Sequence, residues 1–299
     1  TAIMQLKRCY QYKGIFKMAN YLMIGQGNIG KPLAIRLAKA HTVKTVARRL
    51  HEYGTLAKYI HFLQKDAKTL TLDDVKDTTH LAIIITPSNI GRASTLDYQK
   101  SYLAVCQHIV GLANQSCEWQ QKLKQVLFVS STSVYGQNQG EWIDETAPAL
   151  PITDTAQILK DAEDLLWQTF GKRAIIVRAG GIYHKNSIRL IEQARQAHLV
   201  GIPRHHYTNR IMDSDLVNCL YQILVSDCPK SLYLATDNTP VTSFEVLEYI
   251  AKSLNYPSVT PIFDPPSGKR IIANINTNWL SYPNYQIGYD AVIAHLIRS

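Results

Sequence analysis

Residues 25–30 read Gly-Gln-Gly-Asn-Ile-Gly, with the spacing GxGxxG. The first glycine of such a run permits a tight turn. The second lets the main chain approach a pyrophosphate with no Cβ in the way, and the third lets a helix lie close to a strand. In this pattern Gly25, Gln26, Gly27, Asn28, Ile29 and Gly30 offer main-chain N–H groups, and the positive end of a helix, to an anion. A glycine-rich turn without a ligand is the plainer alternative. The next strand ends in Ala47-Arg48-Arg49. A site for NAD(H) usually places an acidic residue here to bond the ribose 2′-OH. Arg48 and Arg49 instead suit bidentate recognition of a 2′-phosphate, so the residues favour NADP(H) over NAD(H). Two solvated surface arginines would read the same way.

The elements that must position this turn follow from hydrophobic patterning. Residues 19–24 form a short apolar run that reads as a buried strand, and residues 31–40 read as the helix after the turn. Further strands are expected at 43–47, 59–63, 80–85, 125–130 and 174–178, with helices at 96–114 and 156–169. Strand–helix alternation predicts an α/β fold with a doubly wound parallel Rossmann sheet and right-handed crossovers. In such a sheet ligands meet the loops just beyond the strand C-termini. Thr86, Pro87 and Ser88 follow the fourth strand there. Asp66, after the third, suits either an adenine contact or a turn. Later come a helix at 213–224, a strand at 231–235 and a helix at 242–254. This last helix opens with a capping box of Thr242 and Glu245. The proline-rich stretch 257–266 reads as a loop. The expected organisation is an extension at 1–17, a dinucleotide-binding domain at 18–180, and a smaller C-terminal substrate lobe at 181–299 that returns to the sheet near 211–236.

Residues 129–136 read Val-Ser-Ser-Thr-Ser-Val-Tyr-Gly after the fifth expected strand. Together with the glycine turn, Arg178 at a strand end and the stretch 209–216 (NRIMDSDL), this resembles the extended short-chain dehydrogenase/reductase family, the NAD-dependent epimerase/dehydratase group. The resemblance covers nearly all of the chain from Met18. Closer still is an atypical subgroup that shares Glu145-Thr146-Ala147-Pro148 and the stretch 178–182. The resemblance implies that Ser131 bonds the substrate oxygen and that Tyr135 is structural. It also implies a Tyr-x-x-x-Lys whose tyrosine moves the proton and whose lysine holds the nicotinamide ribose. The corresponding positions hold Ala156 and Lys160, so the lysine is present and the tyrosine absent, as in that subgroup. Acid–base assistance of this kind is worth about 10²–10⁴-fold in rate. Tyr135 within the motif, and Tyr183 and His184, where the family shows Tyr-Gly-Pro, are the replacement candidates, and His184 has a suitable intrinsic pKa. Each also fits an ordinary loop at the cleft rim. Ser131 equally suits a strand-end cap, and Lys160 a helix pair with Asp164.

Composition bounds the rest. The chain has 299 residues, 46% hydrophobic and 18% charged, with a formal net charge of +9. The basic residues are scattered, and no recognition helix or aromatic platform accompanies them, so no nucleic-acid partner is expected. Five cysteines lack CxxC spacing, which fits a reducing cytoplasm better than a disulfide framework or a zinc site. The adjacent His205 and His206 make poor metal geometry, and no metal is expected. No apolar run approaches the roughly 18 residues of a membrane helix, and residues 1–17 lack the apolar core of a signal peptide. The expected partner is a small-molecule substrate, with a homodimer compatible. The leading function is an NAD(P)(H)-dependent oxidoreductase or epimerase/dehydratase-like enzyme on a small polar, nucleotide-sugar-like substrate. The alternative is a non-catalytic NADP(H)-binding redox sensor or scaffold.

Overall fold

A computed structural model describes residues 18–87 and 93–298. Seven parallel strands form the central sheet: β1 (Asn20–Ile24), β2 (Thr42–Ala47), β3 (Ile60–Gln64), β4 (His80–Ile83), β5 (Gln125–Ser131), β7 (Ala174–Ala179) and β12 (Leu232–Ala235). Their order is β12-β7-β5-β4-β1-β2-β3. The order reverses between β1 and β4, which opens a crevice beyond their C-terminal ends. The strands are apolar on both faces because helices cover both. Leu22 and Ile24 face one hydrophobic cluster and Tyr21 and Met23 the other. The first cluster packs α2 (Ala104–Gln115) and α3 (Asp154–Phe170) on the sheet; the second packs α1 (Gly30–Leu37) and α5 (Asp213–Leu224).

Local chemistry sets the ends of α3. The Thr153 hydroxyl accepts from Ala156 N at 3.3 Å, and Gly171, at φ +56°, stops the helix. The expected helix at 96–114 is less regular. A short turn of helix at Thr95–Tyr98 widens into a π-helical stretch at Gln99–Leu103 before α2 begins. The helix after the glycine turn ends at Leu37, three residues before the expected 40.

Further strands pair outside the central sheet, and one of them, at Gln139–Ile143, comes from within the expected 18–180 domain. A second sheet runs β13 (Val241–Thr242), β10 (His206–Thr208), β15 (Ser267–Ile271), β6 (Gln139–Ile143). β11 (Arg210–Met212) pairs with β8 (Gly181–Tyr183). The stretch expected as a loop at 257–266 contains β14 (Pro261–Ile262), which pairs with β9 (Ile202–Pro203). A third cluster sits between α4 (Arg189–Val200), α6 (Ser243–Ser253) and α7 (Tyr285–Arg298). Among the described residues no helix is long and apolar enough to cross a membrane.

Candidate functional site

The three glycines of the turn between β1 and α1 do different things. Gly25 lies at φ +95°, and a Cβ there would sit 1.9 Å from the Ile84 carbonyl oxygen. A Cβ on Gly30 would sit 1.9 Å from the Gly25 oxygen. Both glycines are therefore required by the fold itself. Among the described residues nothing lies within 4 Å of the Cβ position of Gly27. Packing among the described residues does not need that glycine, and it stands exposed. The first turn of α1 carries no acidic side chain to oppose an anion. The structure thus fits a diphosphate here, lying across Gly25–Gly30 at the start of α1.

Gln26 braces the turn from below. Its Nε2 donates to the Gly25 oxygen at 2.8 Å, and its Oε1 accepts from the Tyr53 hydroxyl at 2.9 Å. That hydroxyl also lies 3.0 Å from Thr45 Oγ1 on β2. Asn28 is exposed, and Ile29 packs partly against the second cluster. Arg48 and Arg49 stand exposed just past the end of β2. His51 lies close by. Burial lowers its pKa first, and the charges of Lys31 and Arg49 lower it further. The rim beside the turn is therefore electropositive.

Asp66 takes the local role. Its carboxylate accepts from Lys68 N at 3.0 Å and caps the short turn that follows β3. Thr86 is exposed and Pro87 buried beyond β4, while Ser88 lies outside the described residues. Ser131 ends β5 half-buried, and its Oγ accepts from Ser133 N at 3.1 Å. Lys160 Nζ sits 2.5 Å from Asp164 Oδ1, one turn along α3. Ala156, in the tyrosine's place, is 2% exposed.

Tyr183 and His184 do not form a proton-donor pair at an open rim. The Tyr183 ring is stacked on Tyr289 with centroids 5.1 Å apart and lies in the third hydrophobic cluster. Burial is the main cause that pushes its pKa up. His184 is held in a local turn, where its Nδ1 accepts from Asn186 N at 3.2 Å. Tyr135 is fully buried. Its hydroxyl accepts from Arg178 Nη1 at 2.7 Å, and Arg178 Nη2 in turn pairs with Glu163 at 2.6 Å. That buried trio locks the β5 turn to β7 and α3.

No family model matches the chain. Protein YeeZ of Escherichia coli K12 is 26% identical over 173 residues, which is 55% of this chain and 59% of that protein. The same holds for YeeZ of Escherichia coli O157:H7. The match thus spans less than two thirds of these curated relatives. A Methylobacillus flagellatus protein, described as a candidate NAD-dependent epimerase/dehydratase, superposes with a TM-score of 0.73 at 25% identity. The superposition covers 95% of this chain and 100% of that one. The UDP-glucuronic acid 4-epimerase of Bacillus cereus, in complex with NAD, gives 0.70 at 16% identity and covers 92% and 99%. A short-chain dehydrogenase/reductase superfamily protein of Agrobacterium tumefaciens with bound NAD gives 0.70 at 16%, covering 93% and 98%. The chain has the Rossmann fold of these proteins.

Within that Rossmann fold, the C-terminal ends of β7 and β12 hold a buried polar group that sequence reasoning missed. Asp237 follows β12 and is 1% exposed. Burial pushes its pKa up to about 7, although the nearby Arg210 pulls it down. Asp237 Oδ2, Arg210 Nη1, Thr236 Oγ1 and the Tyr183 hydroxyl are all buried with no hydrogen-bond partner among the described residues. Orphaned buried polar atoms are uncommon and mark sites of interest. No motif signals this group, because Tyr183, Arg210 and Asp237 come from separate segments. Tyr53 and His51 were missed for the same reason. Among the described residues no cluster of three or more His, Cys, Asp or Glu could hold a metal, and Cys106, Cys117, Cys219 and Cys228 are free thiols.

Proposed function

We propose that the chain is an NADP(H)-binding protein of the extended short-chain dehydrogenase/reductase type, from the subgroup without the catalytic tyrosine. The observation that carries this reading is the open Cβ position at Gly27 beside two glycines the fold requires. The N–H groups of the 25–30 turn bind the diphosphate, and Arg48 and Arg49 take the 2′-phosphate. The residues past β4 flank the cofactor. When bound, the nicotinamide supplies or accepts a hydride. Ser131 orients the substrate oxygen at the end of β5, and Lys160 reaches the ribose once it leaves Asp164. The substrate is a small polar molecule of the nucleotide-sugar kind. The epimerase of Bacillus cereus, similar in fold, acts on such a molecule and binds NAD. The protein works in the cytoplasm, with a homodimer as the assembly compatible with this fold.

Two observations favour a second reading, a redox sensor without turnover. Alanine at 156 cannot move a proton, and Lys160 is held by Asp164. One titration tests the cofactor preference that both readings share, and one turnover assay separates them. NADPH is expected to bind more tightly than NADH; equal or weaker binding removes the role given to Arg48 and Arg49. Oxidation of bound NADPH across a panel of carbonyl compounds supports the enzyme, and tight binding with no turnover supports the sensor.

A further inference from the structure

The second sheet has two different faces. Along β15, Lys269 Nζ donates to the Tyr135 oxygen and Ile271 is buried in the first cluster, so both side chains point toward the Rossmann domain. Side chains alternate along a strand. Arg270 therefore points to the opposite face, as does Trp142, its register partner on β6. There the Arg270 guanidinium lies 4.8 Å from the Trp142 ring centroid and 4.4 Å from that of Tyr207. Its Nε donates to the Gly140 oxygen at 2.7 Å. A second guanidinium, Arg204, lies 4.3 Å over the Phe244 ring. Neither arginine forms an ion pair with a carboxylate among the described residues. Both line one hollow of about 310 Å³, together with Trp142, Tyr207, Thr242 and Glu245.

We propose that this hollow is a second binding site, separate from the dinucleotide crevice, for a small phosphate monoester carried on a flat ring. Arginine matches phosphate with paired N–H groups. Contact with aromatic rings restrains each guanidinium beforehand, so less order is lost on binding. Glu245 brings one negative charge to the wall, but its carboxylate is turned into the helix cap. It accepts from Thr242 N at 3.0 Å and from Thr242 Oγ1 at 2.7 Å. The two arginines therefore outweigh it. Trp142 is 56% exposed, which leaves ring surface free for a flat partner. The volume lies at the lower end of the range for small-molecule pockets, about 300–1,000 Å³.

Calorimetric titration with phenyl phosphate tests this, using the whole chain with saturating NADPH and, separately, the Gly27→Asp variant. The second arm keeps the test independent of the dinucleotide reading. Phenyl phosphate is expected to bind in both arms, and inorganic phosphate about tenfold more weakly. Arg204→Gln and Trp142→Ala are each expected to weaken phenyl phosphate by about tenfold, roughly 1.4 kcal/mol. Arg204→Lys, which keeps the charge and loses the planar fork, is expected to fall between, and serves if Arg204→Gln does not fold. No heat up to millimolar phenyl phosphate overturns the proposal. Affinity unchanged by these variants, or binding abolished in both the NADPH-saturated chain and the Gly27→Asp variant, also overturns it. Equal affinity for inorganic phosphate overturns the role of the ring.

Discussion

Two buried charged groups give opposite expectations at the level of single residues. Glu163 and Arg178 are paired at 2.6 Å, and both are nearly inaccessible. Removing one partner of such a pair leaves a buried charge uncompensated, at a cost of about 3–5 kcal/mol. Glu163→Ala is therefore expected to lower unfolding stability in urea by that amount. Asp237 behaves differently, because burial raises its folded-state pKa from 3.8 to about 7. The folded chain holds this proton more tightly than the unfolded chain does. Its contribution to stability is complete below pH 4 and is lost as pH rises through 7. Asp237→Asn removes that loss. The melting temperature of the variant is expected to rise relative to the parent's between pH 4 and pH 7, the span between the unfolded and folded pKa values. A constant difference across that range would contradict the assignment. Neither group was legible in the sequence, since Glu163 and Asp237 look like ordinary helix and loop acids until tertiary packing buries them. Tyr183 misled for the same reason: its burial depends on Tyr289, which arrives on the last helix.

Elements whose signals are local were legible. The GxGxxG turn, the apolar strands of the central sheet and the capping box of α6 are each written within a few consecutive residues. The Thr242 hydroxyl accepts from Glu245 N at 3.1 Å, as that box requires. Thr242→Ala is expected to cost about 1 kcal/mol, read by thermal unfolding. Gly25 sets the geometry of the β1–α1 turn, where a side chain meets the Ile84 carbonyl. Gly25→Ala is expected to destabilise by more than about 1 kcal/mol, because alanine cannot adopt that backbone without strain. A melting temperature equal to the parent's would remove the packing role given to Gly25. Elements that depend on distant pairing were not legible. The strands β6 (QGEWI) and β15 (SGKRI) carry few apolar residues and no clean alternation. They become strands by pairing with each other across more than a hundred residues of intervening chain, and β15 pairs with β10 on its other side. The π-helical stretch at Gln99–Leu103 likewise interrupts a pattern that reads as plain helix.

At the scale of the whole molecule, one sheet supplies the crevice and a second sheet packs against the turn after β5. The net charge of +9 fits a molecule that gathers anions, and the structure places cationic groups at two separate locations. One is the rim of Lys31, Arg48 and Arg49 beside the glycine turn; the other is the outer hollow of Arg204 and Arg270. On the proposed function, the dividing line between fold and function runs through the glycine turn, because Gly25 and Gly30 serve packing and Gly27 does not. Calorimetric titration of the parent chain and of Gly27→Asp with NADPH, alongside their melting temperatures, tests that division most directly. The expected result is that the variant melts with the parent and loses at least about tenfold in NADPH affinity, roughly 1.4 kcal/mol. Parent protein that gives no heat with NADPH, or a variant that binds it as tightly as the parent, would contradict the account.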